Sequence, residues 1–310
     1  MTKINVLQTL GEIVAAQPEA SAVFKRYNID FCCGGNRPLA ETIREQGLSE
    51  EELLKALEET GCKAKEQVSK EDFRDMISSR LIEYIVGTHH SFLKRVLPET
   101  GELAEKILRA HGARHQELFR VHRLFNSLRT ELEEHLIKEE ELLFPLINEY
   151  EAKPSQKLLQ DIRRVMQETE DEHEGAGGIL KELREITAQY TVPEDGCATY
   201  GLTYSKLSEI ESDLFIHIHL ENNILFKRFH ITLDLSKPVH DLCKENPSLV
   251  EILKELGFDQ ITNPAILNTA GRFMTIPKGA VMKGVDLGRI MRELENRGFI
   301  IKDKEVLRYE

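Results

Sequence analysis

Apolar residues recur every three or four positions along most of this chain, which is the pattern of amphipathic helices. The pattern is clear in DMISSRLIEYIVGTHHSFLKRVLP, residues 75–98, and in KLLQDIRRVMQETEDEHEGAGGILKELREI, residues 157–186. The alternation of apolar and polar residues that marks a strand is almost absent, and turn-rich stretches are short. The sequence therefore predicts an all-α protein.

Breaks in the helical pattern divide the chain into three predicted domains, about 1–66, 70–230 and 235–310. The middle domain has four long helical segments with short connections, which predicts an up-down-up-down four-helix bundle. The two flanking domains are small and helical. Because each is near the lower size limit for an independent core, we expect them to dock on the bundle or on a partner.

The two outer domains resemble each other. LGEIVAAQPEASAVFKRYNID, residues 10–30, aligns with VHDLCKENPSLVEILKELGFD, residues 239–259. FCCGG follows Asp30, whereas QITNP follows the aligned aspartate, so the C-terminal copy lacks the cysteine pair. Because the shape does not need these thiols, Cys32 and Cys33 are candidates for chemistry, and a tight turn with incidental thiols is the alternative.

One His–Glu pair occurs twice in the middle domain. HLIKEEELLF places His135 four residues before Glu139, and HIHLENNILF places His217 four residues before Glu221. A spacing of four puts both side chains of each pair on one helix face, one turn apart.

A further histidine precedes each pair at nearly the same distance. His90 lies 45 residues before His135, and His173 lies 44 residues before His217. Each half of the bundle thus supplies one histidine and then one His–Glu pair. The two halves are predicted to be related by approximate two-fold symmetry.

Four imidazoles and two carboxylates are unusual in an apolar bundle interior, because an unpaired buried charge costs on the order of several kcal/mol. A pair of metal ions removes that cost, since each carboxylate can bridge two ions. Imidazole and carboxylate ligands suit iron, manganese or zinc, and six protein ligands leave positions open for a small molecule. Either motif alone is more commonly a surface pair. Their matched repetition favours a dinuclear site.

The other histidines and the acidic run have plainer expected roles. His89 and His219 do not share the helix faces of the neighbouring predicted ligands, so we expect them at the surface or beside the site. Glu140 and Glu141 are expected on a solvated face, because Glu139 alone matches the register of Glu221.

Composition narrows the function classes. The chain has 310 residues, of which 41% are hydrophobic and 30% charged, as in soluble globular proteins. A net charge of −12 argues against nucleic acid or an anionic membrane as partner. No apolar run approaches the ~20 residues of a membrane span, and the first residues lack a signal-peptide pattern, so we expect a cytoplasmic location. Five cysteines, an odd count, do not fit a secreted disulfide framework.

These motifs together resemble the iron-sulfur cluster repair di-iron proteins, the RIC family, whose core is a hemerythrin-like bundle. The resemblance covers about residues 1–230 and lies in IDFCCGG, HHSFLKRVLPE, HLIKEEELLFP, DEHEGAG and HIHLENNILF, in this order. The domain from 235 onward is not part of the usual protein of this family.

The resemblance implies a non-haem di-iron centre, oxo- or hydroxo-bridged when oxidised. The implied ligands are His90, His135, His173, His217, Glu139 and Glu221. The Leu-Pro dipeptide that follows favours His90 over His89 as the ligand, and the cysteine pair matches the family's Cys-Cys-Gly-Gly motif.

The resemblance also implies a role in repairing iron-sulfur clusters damaged by nitric oxide or oxidative stress. The site is expected either to donate iron or to reduce nitric oxide, and Cys32 and Cys33 are redox or iron-relay candidates. The alternative is a hemerythrin-like sensor or carrier of oxygen or nitric oxide without turnover. The expected partners are damaged iron-sulfur proteins and these small ligands, and a homodimer is compatible with the sequence.

Overall fold

The structure is a computed structural model that describes residues 4–63, 72–247, 249–297 and 299–302. The predicted boundary between the first and second domains, 66–70, lies outside the described residues. The chain forms two compact units, which meet in sequence between Phe229 and His230. The prediction of an all-α protein built around a four-helix bundle is confirmed. None of the helices in the described part combines the length and the apolarity that a bilayer crossing requires.

The first unit begins with four short helices. They are α1 (Leu10–Ala16), α2 (Ala20–Arg26), α3 (Leu39–Gln46) and α4 (Glu50–Lys63). Thr9 caps α1 by accepting a hydrogen bond from the Glu12 amide, while the Glu12 carboxylate accepts from the Thr9 amide. Gly47 ends α3 in the left-handed conformation, φ 63°, which a residue without Cβ adopts at little cost.

Four helical rods form the bundle. They are α5 (Ser78–Ile85) with α6 (Ser91–His111); α7 (Glu117–Lys138) with α8 (Phe144–Ala152); α9 (Gln156–Ile186); and α10 (Ala198–Leu220). Helix α6 packs against α7 and α10, and α7 packs against α9. Buried residues such as Leu97, Phe125, Leu180 and Leu214 fill the interior, and burying each contributes roughly 1.5–3 kcal/mol.

Three of these rods contain a π-helical turn. The turns are Val86–His90, Glu139–Leu143 and Glu221–Leu225, and a 3₁₀ turn, Phe226–Arg228, follows the last. A π turn widens the helix by one residue and is frequent at functional sites. His90, Glu139 and Glu221 each begin or end one of these turns.

The second unit contains a small sheet that the sequence pattern did not predict. Strands β1 (Ile231–Leu233) and β2 (Phe299–Ile301) pair in parallel, with Ile231 opposite Phe299. Between them lie α11 (Val239–Glu245), α12 (Leu249–Glu255), α13 (Pro264–Asn268), α14 (Ile276–Lys283) and α15 (Leu287–Asn296). Three-residue strands carry too little periodicity to be recognised, and their pairing depends on contacts far apart in sequence.

The two predicted copies share local architecture. In each, the residue before the first helix forms an isolated bridge to the residue before a later helix, Thr9 with Pro38 and Pro238 with Thr275. Gly284 ends α14 at φ 68°, as Gly47 ends α3. Where the first copy has the cysteine loop, the second has helix α13 and flanking 3₁₀ turns. The second copy lacks the thiol pair but keeps one buried cysteine, Cys243.

Candidate metal centre

The six residues predicted as ligands lie together in the bundle interior, and all six are buried. They come from all four rods: His90, His135, Glu139, His173, His217 and Glu221. His173 projects from the middle of α9, which has no π turn, whereas the other three rods place a ligand candidate at theirs.

The six side chains form two clusters that share both carboxylates. One cluster joins Glu139 and Glu221 with His90 and His217, and the other joins the same two carboxylates with His135 and His173. Within each cluster the donor atoms lie within 4.8 Å of one another. Two adjacent clusters of ligand candidates that share two carboxylates therefore match the arrangement that the internal repeat predicts.

Individual distances place the histidine Nε2 atoms around the carboxylates. Glu139 Oε2 lies 3.3 Å from Nε2 of both His90 and His135. Glu221 Oε1 lies 3.0 Å from Nε2 of His217, and its Oε2 lies 3.3 Å from Nε2 of His173. Nitrogen and oxygen atoms thus converge on one small volume.

The donor set fits a pair of divalent cations. Among the described residues, both carboxylate oxygens of Glu139, Glu221 Oε2 and His90 Nε2 are buried without a hydrogen-bond partner. Such orphaned atoms are costly unless a charge compensates them. Two imidazoles and two carboxylates per site suit first-row metals such as iron, manganese or zinc.

Protons balance the charges within these clusters. Burial disfavours the charged form of His90, but the nearby carboxylates of Glu139 and Glu221 outweigh it and raise the pKa of His90 to about 10. Burial also opposes the charge on His135, yet Glu139 raises the pKa of His135 to about 10. Burial would raise the pKa of Glu221, but the charge of His217 holds it well below its usual value. Cations bound here would replace these protons, so metal binding should release protons.

Polar residues outside the six fix the orientation of three imidazoles. Nδ1 of His90 lies 2.7 Å from Glu140, and Lys94 in turn binds that carboxylate. The prediction that Glu140 lies on a solvated face is wrong, because Glu140 is half-buried against His90. A signal for this role exists in the sequence, since Glu140 directly follows the shared carboxylate.

The other two orienting contacts were also missed by sequence reasoning. Nδ1 of His135 lies 2.9 Å from Glu172, which also pairs with Lys138. Nδ1 of His173 lies 2.8 Å from Asn222 Oδ1. Asn222 follows Glu221 as Glu140 follows Glu139, so the repeat extends to the supporting residues.

His89 and His219 are both buried, next to different parts of the site. The ring of His89 stacks on that of His217 with centroids 5.5 Å apart, and its Nδ1 lies 2.9 Å from Asp213. His219 packs edge-on against Phe31, 5.9 Å between centroids, and burial is the main cause that lowers its pKa to about 4. Neither belongs to the two ligand clusters.

The cysteine pair lies beside the same bundle region. Cys33 Sγ is 3.5 Å from the His173 carbonyl oxygen, and the two sulfur atoms are 3.9 Å apart. Asp30 Oδ1 accepts hydrogen bonds from the amides of Cys32 and Cys33 at 3.0 and 3.1 Å. The hydrogen bond with Cys33, burial and the Asp30 charge raise the pKa of Cys32 well above that of a free thiol. Cys32 is therefore protonated at neutral pH.

The Gly-Gly part of the motif allows the loop to approach the bundle closely. Asn223 Nδ2 donates to the carbonyl oxygens of Phe31 and Cys32, at 3.3 and 2.9 Å. A Cβ on Gly35 would overlap the Asn223 side chain, and one on Gly34 would lie 2.6 Å from the Asp30 carbonyl oxygen. A side chain at either position would therefore force the loop or Asn223 to move.

Three family models match this chain. The hemerythrin HHE cation binding domain matches residues 80–229, which contain all six ligand candidates. ScdA_N, a domain of unknown function, matches residues 6–60, and DUF1858, also a domain of unknown function, matches residues 233–291.

Several relatives carry the name iron-sulfur cluster repair protein YtfE. That of Pectobacterium carotovorum is 34% identical over 224 residues, which cover 71% of this chain and 96% of the relative. That of Shigella boydii is 33% identical over 221 residues, with the same shares covered. That of Escherichia coli O139:H28 is 32% identical over 221 residues, again with 71% and 96% covered.

Proposed function

This chain belongs to the family of YtfE iron-sulfur cluster repair proteins, and on that premise we propose that it binds two non-haem iron ions and helps to restore iron-sulfur clusters damaged by nitric oxide or oxidative stress. The observation that supports this proposal most is the pair of buried four-donor clusters that share two carboxylates. Its partners would be damaged iron-sulfur proteins, and its place of action the cytoplasm.

Each predicted ligand has a role in this proposal. His90 and His217 would hold one iron, His135 and His173 the other, and the two glutamates both. When bound, the iron pair supplies redox chemistry and open positions for a small molecule such as nitric oxide or oxygen.

The protein's own residues prepare the site. Glu140, Glu172 and Asn222 orient three of the imidazoles through Nδ1, which leaves Nε2 directed at the carboxylates. The apolar bundle around the site limits access of water and so strengthens the electrostatic interactions within it.

The thiol pair is proposed to act as a redox or iron relay. Support comes from its position, because Cys33 touches the backbone of His173. In iron donation the metal is cargo, and thiols beside one of the clusters would receive it. Replacing both cysteines with serine should then slow transfer to a client without lowering the iron initially bound.

Metal analysis and a repair assay test the proposal together. After anaerobic reconstitution with ferrous iron, we expect about two irons per chain, because the clusters provide two four-donor sites. The loaded protein should reactivate an iron-sulfur enzyme inactivated by nitric oxide. Absence of bound iron would contradict the di-iron proposal. A stable nitric oxide adduct without reactivation would instead support a sensor or carrier.

Ligand variants make the metal assignment specific. His173→Ala should lower iron content, because it removes one of four donors from a cluster. His111→Ala is the matched control, since His111 is also a buried histidine of the bundle but contacts Cys197 instead. Equal loss of iron in the two variants, measured by metal analysis, would refute the assignment.

A further inference from the structure

A second cluster of reactive side chains lies at the other end of the bundle from the metal centre. Cys197 is exposed and immediately precedes α10, and its Sγ lies 3.2 Å from Nε2 of His111. His111 is the last residue of α6, whereas His90 immediately precedes that helix. At a rise of 1.5 Å per residue the two ends are about 30 Å apart, so the two sites are separate.

The imidazole in this pair is unusual, because His111 is only 8% exposed. Its Nδ1 is buried and has no hydrogen-bond partner among the described residues, so Nε2 is the ring nitrogen through which it can exchange a proton. That nitrogen faces the sulfur atom. Tyr200 packs edge-on against the imidazole with centroids 5.4 Å apart and holds the ring in place.

The position at a helix start also favours a thiolate. Cys197 is the N-terminal flanking residue of a 23-residue helix, where free amides and the helix dipole stabilise negative charge. The hydrogen bond with His111, and then the amides of Tyr200 and Thr199, lower the pKa of Cys197 to about 7. An ordinary exposed thiol has a pKa of about 8.5.

The charged groups around the pair are held by one another. His115, in the turn after α6, lies 2.8 Å from Asp195 and 3.1 Å from Glu117 at the start of α7. Arg114 also pairs with Asp195, at 3.3 Å. Asp195 and Glu117 are therefore paired with Arg114 and His115, and His111 is the side chain that contacts the sulfur atom.

We propose that Cys197, activated by His111 at the start of α10, is a peroxide-reactive thiolate that is oxidised to a sulfenic acid. The thiolate attacks one oxygen of hydrogen peroxide, an S–O bond forms and the O–O bond breaks. The leaving hydroxide takes the proton that Nε2 of His111 received from the thiol, and water is released. One thiol and one peroxide give one sulfenic acid and one water, and the peroxide is the only oxidant needed.

The first test measures thiolate character in the full-length, iron-loaded protein. Iodoacetamide is added in limited amount between pH 5 and 9, and the alkylated peptides are quantified by mass spectrometry. Cys197 should react with a midpoint near pH 7. In His111→Gln the midpoint should rise toward about pH 8.5, the value of an ordinary thiol, but stay below it, because the amides at the helix start remain. Cys243 is the internal control, because burial raises its pKa to about 11 and it should stay unreacted.

The second test measures oxidation directly. Equimolar peroxide is added in the presence of dimedone, which traps sulfenic acids. Cys197 should be the first cysteine to carry the dimedone label, and Cys197→Ser should remove that label. His111→Gln should slow labelling at pH 6 by up to about fivefold, because the loss of thiolate outweighs the gain in intrinsic nucleophilicity. His115→Gln, which leaves the contact between His111 and the sulfur atom in place, should label at the normal rate.

Iron content and circular dichroism of each variant show whether it is folded. An alkylation midpoint near pH 8.5 in the unchanged protein would overturn the proposal without the use of any variant. Equal labelling rates in folded His111→Gln and in the unchanged protein would also overturn it, as would first labelling at another cysteine.

Discussion

At the residue scale, the imidazoles are set by partners that belong to the same internal repeat as the ligands. The residue after each shared glutamate orients a histidine of the same half, Glu140 for His90 and Asn222 for His173. Glu172, which directly precedes His173, orients His135. His89 precedes His90 as Glu172 precedes His173. It stacks on the ring of His217, the fourth imidazole, and does not form a hydrogen bond with it.

The symmetry is therefore incomplete at His217. Its Nδ1 is buried and has no hydrogen-bond partner among the described residues, whereas the other three ligand imidazoles each have one. The two clusters of ligand candidates thus differ in how many of their histidines are oriented by a hydrogen bond through Nδ1.

The Glu140 contact leads to a prediction about metal affinity. Glu140→Ala should weaken iron binding about 10- to 100-fold, the usual effect of removing a group that orients a metal-binding histidine. Glu141→Ala is the control, because Glu141 is exposed one residue further along the same turn. Competition with a ferrous chelator measures both affinities. If the two variants released iron equally, the orienting role of Glu140 would be ruled out.

The sequence was sufficient for the six ligand candidates and insufficient for their supports. The repeat singles out Glu139 because register depends only on positions along one helix. Glu140 lies in an acidic run that looks solvated, and its role arises from a contact with His90 on another rod. Contacts between rods depend on packing, which periodicity does not encode.

At the element scale, helical periodicity predicted the rods but not their π turns. Such a turn inserts one residue without a distinctive composition. The consequence is visible at His89 and His90, which are adjacent in the π turn Val86–His90 and both buried. A regular helix would point them in more divergent directions, which is why we expected only one of them to face the bundle interior.

The cysteine loop gives an element-scale prediction about stability. Gly35→Ala should destabilise the protein by about 1–3 kcal/mol, because its Cβ would overlap Asn223. Gly178→Ala is the control, since an exposed helical glycine with open space around its Cβ position should gain about 0.5–1 kcal/mol as alanine. Urea unfolding measures the free energies of unfolding.

A double-mutant cycle locates the cause of that loss. In an Asn223→Ala background the side chain that the new Cβ would meet is absent, so the added cost of Gly35→Ala should fall. If Gly35→Ala cost the same free energy of unfolding in that background, the loss would come from strain within the loop and not from its contact with Asn223.

At the scale of the whole first unit, a buried charge network fastens the N-terminal helices to the bundle. Glu211 on α10 is fully buried and binds Arg184 at 2.8 Å and Tyr190 at 3.1 Å. Lys25 of α2 reaches the same carboxylate at 3.2 Å. Arg184 also donates to Asn28, so two bundle rods and the N-terminal segment meet at one anion.

This network was not predictable from sequence, and neither was the small sheet of the second unit. Glu211, Arg184 and Lys25 are far apart along the chain, and each alone resembles a surface residue. The pairing of β1 with β2 likewise joins the two ends of its unit. The features that the sequence did predict are local ones: the helical periodicity, the glycines that end helices and the repeated motifs.

Loss of the Glu211 charge should loosen the whole N-terminal segment. Glu211→Gln keeps the side-chain shape but leaves Arg184 and Lys25 without their buried counter-charge, at a cost of about 3–5 kcal/mol. Glu209→Gln is the matched control on the same helix, because Glu209 is exposed, and it should change stability by less than about 0.5 kcal/mol.

Two measurements separate local from global loosening in that variant. Urea unfolding reports the free energy of unfolding, and alkylation of Cys33 in the native protein reports detachment of the cysteine loop from the bundle. Because Lys25 and Asn28 both lie just before that loop, Cys33 should become more reactive in Glu211→Gln than in Glu209→Gln. If stability fell while the reactivity of Cys33 stayed unchanged, Glu211 would stabilise only the bundle and not the attachment of the N-terminal segment.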